Sequence, residues 1–361
     1  MSIKTTLARV LHPIERLVDR LKRRQAQQPL IEPYLGYATP DTIILRGRVL
    51  SAQRRGQPKP DQSRWTNFRQ MLSLFATDEV GGVQVRAAGV TALSDEEGYF
   101  TLTLPRQSQD IGWITHTADL VDLAGVSAQL EAQVPHPDAR RGIISDIDDT
   151  MLETGAYSLA RNLWTSLTGN ALTREIFADS IALIDHLHDG RNPVFYVSSS
   201  PWNLFHFLRA IFERHGLLRA PMFLRDLGLS ETQFITGTHG DHKGAAIDTL
   251  LAANPTLPFV LIGDTGQHDA HVYLDAALRH PGRIERVILR QPGPGPDANS
   301  RAAIDDLRAV GVTVDTAPNF AGLTGDSLSV QARDTPTPRP LNHPAQSAGF
   351  PPPARRAGCD R

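Results

Sequence analysis

The sequence predicts an α/β protein: a parallel sheet covered by helices on both faces, preceded by a small β-sandwich domain and an amino-terminal amphipathic helix. Three observations carry this. Between residues 138 and 318, near-continuous apolar segments alternate with helical patterns, as buried parallel strands and their crossover helices do. Between residues 36 and 135, short alternating segments are separated by turn residues, the pattern of a sandwich. Within residues 3–24, apolar side chains recur at helical spacing.

Ile3, Leu7, Val10, Leu11, Ile14, Leu17, Val18 and Leu21 form the apolar stripe of that first helix. Its other face carries Lys4, Arg9, Arg16, Arg20, Lys22, Arg23 and Arg24 against Glu15 and Asp19. Three readings stand for residues 1–35: a helix docked on its own protein, an interfacial helix lying on anionic lipid, or a partner-binding helix. The sandwich rests on Thr42–Leu50, Val83–Ala87, the turn and alternation of Glu97–Leu104, and strand-like residues in Leu120–Val134. Arg64–Phe75 reads as a helical excursion within it. This region holds no clustered carboxylates, histidine pair or nucleophile motif, which points to a structural or substrate-positioning role.

Composition narrows the classes. The 361-residue chain has a formal net charge of -2, which disfavours a nucleic-acid partner. Its one cysteine, Cys359, excludes internal disulfides and a thiolate metal site. There is no apolar run of bilayer length and no continuous apolar core of a secretion signal. A soluble cytoplasmic location is the expectation, with peripheral membrane contact through residues 3–24 on the lipid reading. Residues 320–361, rich in proline, alanine, arginine and serine, are expected to be disordered.

In the α/β region the first strand, in Arg141–Ser145, runs straight into Asp146-Ile147-Asp148-Asp149-Thr150. Carboxylates this close repel one another unless a cation sits among them, and a hard cation such as Mg²⁺ prefers oxygen ligands. A surface turn is the plain alternative. A calcium loop fails because its sixth and twelfth positions hold Met151 and Tyr157 in place of glycine and glutamate. Three further places carry matching chemistry. Ser198 stands at the tip of the strand Pro193–Ser198, and Ser200-Pro201 reads as a helix cap. Lys243 opens a helix, where its charge opposes the dipole unless an anion is near. Gly263-Asp264-Thr265-Gly266-Gln267-His268-Asp269 ends another strand with two carboxylates five residues apart. Gln291–Pro296 is a loop rather than a phosphate cradle, since its prolines lack N–H groups.

These elements, in this order, resemble the haloacid dehalogenase superfamily of aspartyl phosphotransferases. Tyr196-Val197-Ser198-Ser199-Ser200-Pro201-Trp202, Leu224-Arg225-Asp226 and the Gly263–Asp269 segment resemble more narrowly the actin-patch and lipin-type phosphatidate phosphatases. The departures are Ser199, where many relatives carry asparagine, and Thr265, where serine is more usual. The resemblance implies a Rossmann-like sheet with a minimal cap across residues 138–318. It implies that Asp146 is the nucleophile and Asp148 the general acid and base, with Ser198 and Lys243 on the phosphoryl oxygens. It further implies Mg²⁺ held by Asp146, the backbone carbonyl of Asp148, Asp264 and Asp269, with Thr150, Ser199 and Arg225 toward the substrate. The implied substrate is phosphatidate or a related lipid phosphate. A soluble small-molecule or sugar phosphatase, and a non-catalytic lipid-binding scaffold, are the alternatives.

Overall fold

Strand β8, Gly142–Ser145, is buried along its whole length, and its residues alternate between two cores. Ile143 joins one apolar cluster and Ile144 the other, as side chains on a strand covered on both faces must. In the computed structural model the described residues are 29–51, 80–107, 109–152, 176–225, 239–266, 268–291 and 295–323. The amphipathic helix expected at 3–24, the excursion at 64–75 and residues 324–361 of the tail lie outside them. The chain divides into a compact unit, Met1–Thr324, and a second, Gly325–Arg361. No described helix is long and apolar enough to cross a membrane.

Five further strands join β8 in a wholly parallel sheet: β9 (Val194–Pro201), β10 (Met222–Arg225), β11 (Phe259–Asp264), β12 (Ile284–Arg290) and β13 (Thr313–Ala317). Their order is β10-β9-β8-β11-β12-β13. The chain thus winds outward from β8 through β9 and β10, then returns to the other side of β8 through β11. Open sheets of this kind bind ligands where the order reverses, at the carboxyl ends of the strands. Here that place lies between β8 and β11, and Asp146 and Asp264 stand there.

Helices α1 (Ala178–His188) and α2 (Phe205–His215) cover one face. Helices α3 (His239–Ala253), α4 (Asp269–Arg279) and α5 (Ala298–Ala309) cover the other. The fold continues beyond residue 320, the expected start of the tail. Phe320 is fully buried and a short 3-10 turn, Ala321–Leu323, follows it.

The amino-terminal strands form one sheet of seven, not the two sheets of a sandwich. Strands β1 (Pro29–Ala38), β2 (Thr42–Ser51), β3 (Gln84–Ala87), β4 (Val90–Leu93), β5 (Tyr99–Pro105), β6 (Gly112–Leu120) and β7 (Ser127–Val134) are ordered β4-β3-β6-β7-β1-β2-β5. A register shift between Tyr34 and Tyr37 lets β1 pair with β2 along its length and with β7 at Gly36 and Tyr37. The sheet curls until its edge strands β4 and β5 approach each other, enclosing Leu45, Val85, Leu102, Ala118 and Leu130. The first strand begins at Pro29, inside the segment expected to be helix and linker.

Strand β1 also joins the two sheets. Tyr34 stacks on Trp202 with centroids 4.3 Å apart and meets Phe205 edge-on at 4.7 Å. Trp202 follows directly on the end of β9, so this stack seats against the strand that carries Ser198 and Ser200. Arg46 lies beside it, its guanidinium 4.3 Å from the Phe223 ring centroid and donating to the carbonyls of Leu35 and Met222. Burial lowers the Arg46 pKa to about 10, opposed by Tyr37 and Tyr34. Glu32 meets the His206 ring, and Glu131 forms an ion pair with Arg219, across the same junction. Truncating a buried aromatic costs about 3–5 kcal/mol. Tyr34→Ala is expected to lower the urea unfolding free energy by about 3 kcal/mol. A loss below about 1 kcal/mol would mean that the junction contributes little to stability.

Candidate active site

The loop after β8 is wound tightly. The Met151 and Leu152 amides both donate to the Ile147 carbonyl, and the Asp149 amide donates to the Leu152 carbonyl. Asp149 takes a left-handed conformation, φ 56°, a region that aspartate tolerates better than most residues. This winding keeps Asp146 and Thr150 close, and the Thr150 hydroxyl donates to Asp146 Oδ2 at 3.2 Å.

Lys243 reaches the same carboxylate from helix α3. Its Nζ is 2.8 Å from Asp146 Oδ1 and 2.5 Å from Asp269 Oδ1. Lys243 sits in the second turn of α3 rather than at its start, so the dipole conflict read from the sequence falls away and the two carboxylates account for its burial. Asp269 opens α4, and its Oδ2 accepts the Asp264 amide at 3.2 Å. Asp264 ends β11, its Oδ1 accepting the Gly266 amide at 2.6 Å. Gly263 permits this closeness, because a Cβ there would lie 2.5 Å from Asp269 Oδ2 and 2.7 Å from the Tyr273 hydroxyl.

Asp146, Asp264 and Asp269 each offer an oxygen within 4.8 Å of the others. They are 2%, 0% and 1% exposed, and Lys243 is 4% exposed. One buried ammonium therefore faces three buried carboxylates. Burial pushes Asp146 well above the usual carboxylate range; Lys243 draws it down, and Asp269, Asp148 and Asp264 push it further up. Burial alone would lower Lys243, but Asp146 and Asp269 more than reverse this and keep the ammonium charged. Three hard oxygen donors with unbalanced negative charge fit a divalent cation such as Mg²⁺.

Asp148 faces the cluster from the same loop. Its Oδ2 accepts from the Ser198 and Ser200 hydroxyls, each at 2.8 Å, and the Ser200 amide donates to Ser198 Oγ at 2.9 Å. Ser200 is thus not a helix cap: β9 continues through Pro201, and no side chain caps the turn that follows. The sequence signal for Ser200 was present in the alternation of β9, which puts Ser198 and Ser200 on one side and Ser199 on the other. Arg225 ends β10 in register with Pro201. The sequence pattern gives no sign of Arg290, Asp179 and Ser180, which reach the Thr150 carbonyl directly or through one another.

Residues 141–291 match the family described as "Phosphatidate phosphatase APP1, catalytic domain". The chain is 29% identical to Phosphatidate phosphatase APP1 of Saccharomyces cerevisiae over 150 residues, 41% of this chain and 25% of the yeast protein. It is 27% identical to an uncharacterized protein of Schizosaccharomyces pombe over 231 residues, 61% of this chain and 37% of that one. Among solved structures, ferredoxin-NADP+ reductase from Plasmodium falciparum gives a TM-score of 0.19 at 7% identity, covering 80% of this chain and 95% of that one, too low to bear on the fold. The likeness to this family is thus confined to residues 141–291, the part of the chain that holds the buried acidic cluster. The chain spans between a quarter and two-fifths of the length of these two curated relatives.

A carboxylate whose folded pKa lies above its unfolded value binds more protons when folded, so stability falls as pH rises through the folded pKa. As pH rises above about 4, the ordinary aspartate value, cation-free wild type is expected to lose stability relative to Asp146→Asn. Thermal melts over that rise check this. Parallel curves would contradict a raised Asp146 pKa.

Proposed function

We propose that the protein is a Mg²⁺-dependent phosphatase acting on a phosphomonoester through an aspartyl-phosphate, with phosphatidate as substrate and diacylglycerol and phosphate as products. One observation carries this: Lys243 bridges Asp146 and Asp269, whose carboxylates cluster with that of Asp264, while Asp148, two residues on from Asp146, is held separately by Ser198 and Ser200. The match of residues 141–291 to the phosphatidate phosphatase catalytic domain supports the substrate class. The wholly parallel sheet and its reversal between β8 and β11 support assignment to the haloacid dehalogenase superfamily.

In this mechanism an Asp146 oxygen attacks phosphorus and the ester P–O bond breaks. The departing alkoxide takes the proton of Asp148. Water then attacks the phosphorus of the acyl phosphate, passes its proton to Asp148, and the P–O bond to Asp146 breaks. Phosphate leaves and both carboxyl groups return to their starting states. A carboxylate nucleophile divides one hard displacement into two easier ones, and Asp148 serves as acid, then base.

Lys243 would neutralise charge on the phosphoryl oxygens. Thr150 keeps Asp146 oriented, and the two serines keep Asp148 oriented. Ser198, which the resemblance places on a phosphoryl oxygen, would make that contact from a hydroxyl that here donates to Asp148. Asp146, Asp264 and Asp269 would hold Mg²⁺, with the Asp148 carbonyl completing the set implied by the resemblance. Bound there, the ion supplies Lewis-acid stabilisation of the transferring oxygens. The interfacial reading of residues 3–24 accords with a lipid substrate.

Wild type is expected to release phosphate from phosphatidate in mixed micelles, EDTA to stop it, and Mg²⁺ to restore it. Asp146→Asn should lower the rate by at least about 10³-fold without changing the circular dichroism spectrum. Borohydride trapping during turnover should convert Asp146 of the wild type to homoserine. Turnover by Asp146→Asn near the wild-type rate would remove Asp146 from this role. Hydrolysis of soluble phosphate esters with none of phosphatidate would favour the small-molecule reading.

A further inference from the structure

Arg290 ends β12, beside Asp264 in the strand register, and is almost wholly buried. A buried guanidinium needs partners for its donors, and those of Arg290 are specific. Its Nη1 and Nη2 grip the Asp179 carboxylate at 3.1 and 2.8 Å. Nη2 also donates to Ser180 Oγ at 2.7 Å, and Nε donates to the Thr150 carbonyl at 3.1 Å. The Ser180 hydroxyl donates to that same Thr150 carbonyl at 2.9 Å. The Phe177 and Phe320 rings lie 4.2 and 4.1 Å from the guanidinium carbon, and the Phe320 amide donates to Asp179 at 2.6 Å.

The Thr150 carbonyl is therefore held by two donors that are themselves hydrogen-bonded to each other. The side chain of the same residue donates to Asp146. On its other side, the Arg290 carbonyl accepts the Thr265 amide at 2.9 Å, next to Asp264. One residue thus ties together the loop carrying Asp146, the start of α1 and the end of β11. A fully satisfied network of this kind holds a unique geometry, because any partial break leaves buried polar groups unpaired.

We propose that Arg290, with Asp179 and Ser180, is a positioning residue of the phosphatase site: it fixes the Thr150 backbone so that the Thr150 hydroxyl stays on Asp146. This rests on the phosphatase reading above. The hydrogen bonds of the Arg290 side chain go to Thr150, Asp179, Ser180 and Pro318, none of them a reacting group of the proposed mechanism. It acts through Thr150, so its effect is absent when the Thr150 hydroxyl is absent.

A double-mutant cycle on the full chain separates this from a purely structural role. Wild type, Arg290→Met, Thr150→Val and the double variant are assayed with saturating Mg²⁺ on phosphatidate micelles and on p-nitrophenyl phosphate. Rates are corrected for folded fraction by melting in the same buffer. Arg290→Met is expected to lower kcat about 10- to 100-fold, with KM within about threefold. In the Thr150→Val background the further loss should be below about twofold. Effects that multiply, or a folded-fraction-corrected kcat of Arg290→Met equal to wild type, would overturn the proposal. Should Arg290→Met not fold, Ser180→Ala takes its place in the cycle: a loss that vanishes in the Thr150→Val background supports the proposal, and one that multiplies overturns it. Wild type inactive on every phosphomonoester would sink the phosphatase reading and this inference with it; an active wild type with an additive cycle would sink this inference alone.

Discussion

The ion bridge from Lys243 to Asp146 and Asp269 is the constraint on which the site depends. Three carboxylates buried together are costly unless paired, and one ammonium does not balance them. The fold tolerates the arrangement because each oxygen-bearing group is also pinned: Thr150 on Asp146, the Asp264 amide on Asp269, the Gly266 amide on Asp264. On the proposed reading, the remaining negative charge would be met by a divalent cation, and with that cation the site would take a phosphoryl group.

Sheet order decides that these groups meet. β8 and β11 are neighbours although more than a hundred residues separate them in sequence, and their carboxyl ends carry Asp146 and Asp264. β9, on the other side of β8, brings Ser198 and Ser200 to Asp148. Each strand contributes one chemical part, and the helices seat the rest: Lys243 from α3 and Asp269 from α4. The curled amino-terminal sheet meets the parallel sheet at Trp202, so the Tyr34 stack bears on the turn that ends β9. The β-region without catalytic motifs thus has a mechanical place next to the site.

Much of this was legible in the residues. The apolar runs ending in Asp146, Ser198 and Asp264 announced buried strands with polar tips, because a strand covered on both faces has nowhere to hide a charge except at its end. Lys243 was legible only through its expected place at a helix start, where its charge would oppose the dipole; the helix begins at His239 instead, and the carboxylates that hold Lys243 come from other elements. The role of Ser200 was masked by proline: Ser-Pro reads as a cap, and only the continued pairing of β9 shows that it is strand. Arg290 was invisible because its partners, Asp179, Ser180 and Thr150, lie more than a hundred residues away. The single curled sheet was missed because short alternating strands look alike whether they form two sheets or one bent upon itself.

On the proposed reading, the buried cluster of Asp146, Asp264 and Asp269 is a cation site as well as a reaction centre. Calorimetric titration of Mg²⁺ into cation-free protein tests it most directly, with Asp264→Asn alongside. Saturable binding of a single ion by wild type, weakened at least about tenfold in Asp264→Asn, is the predicted result. Binding that is unchanged in Asp264→Asn, or absent from wild type at millimolar Mg²⁺, would contradict it.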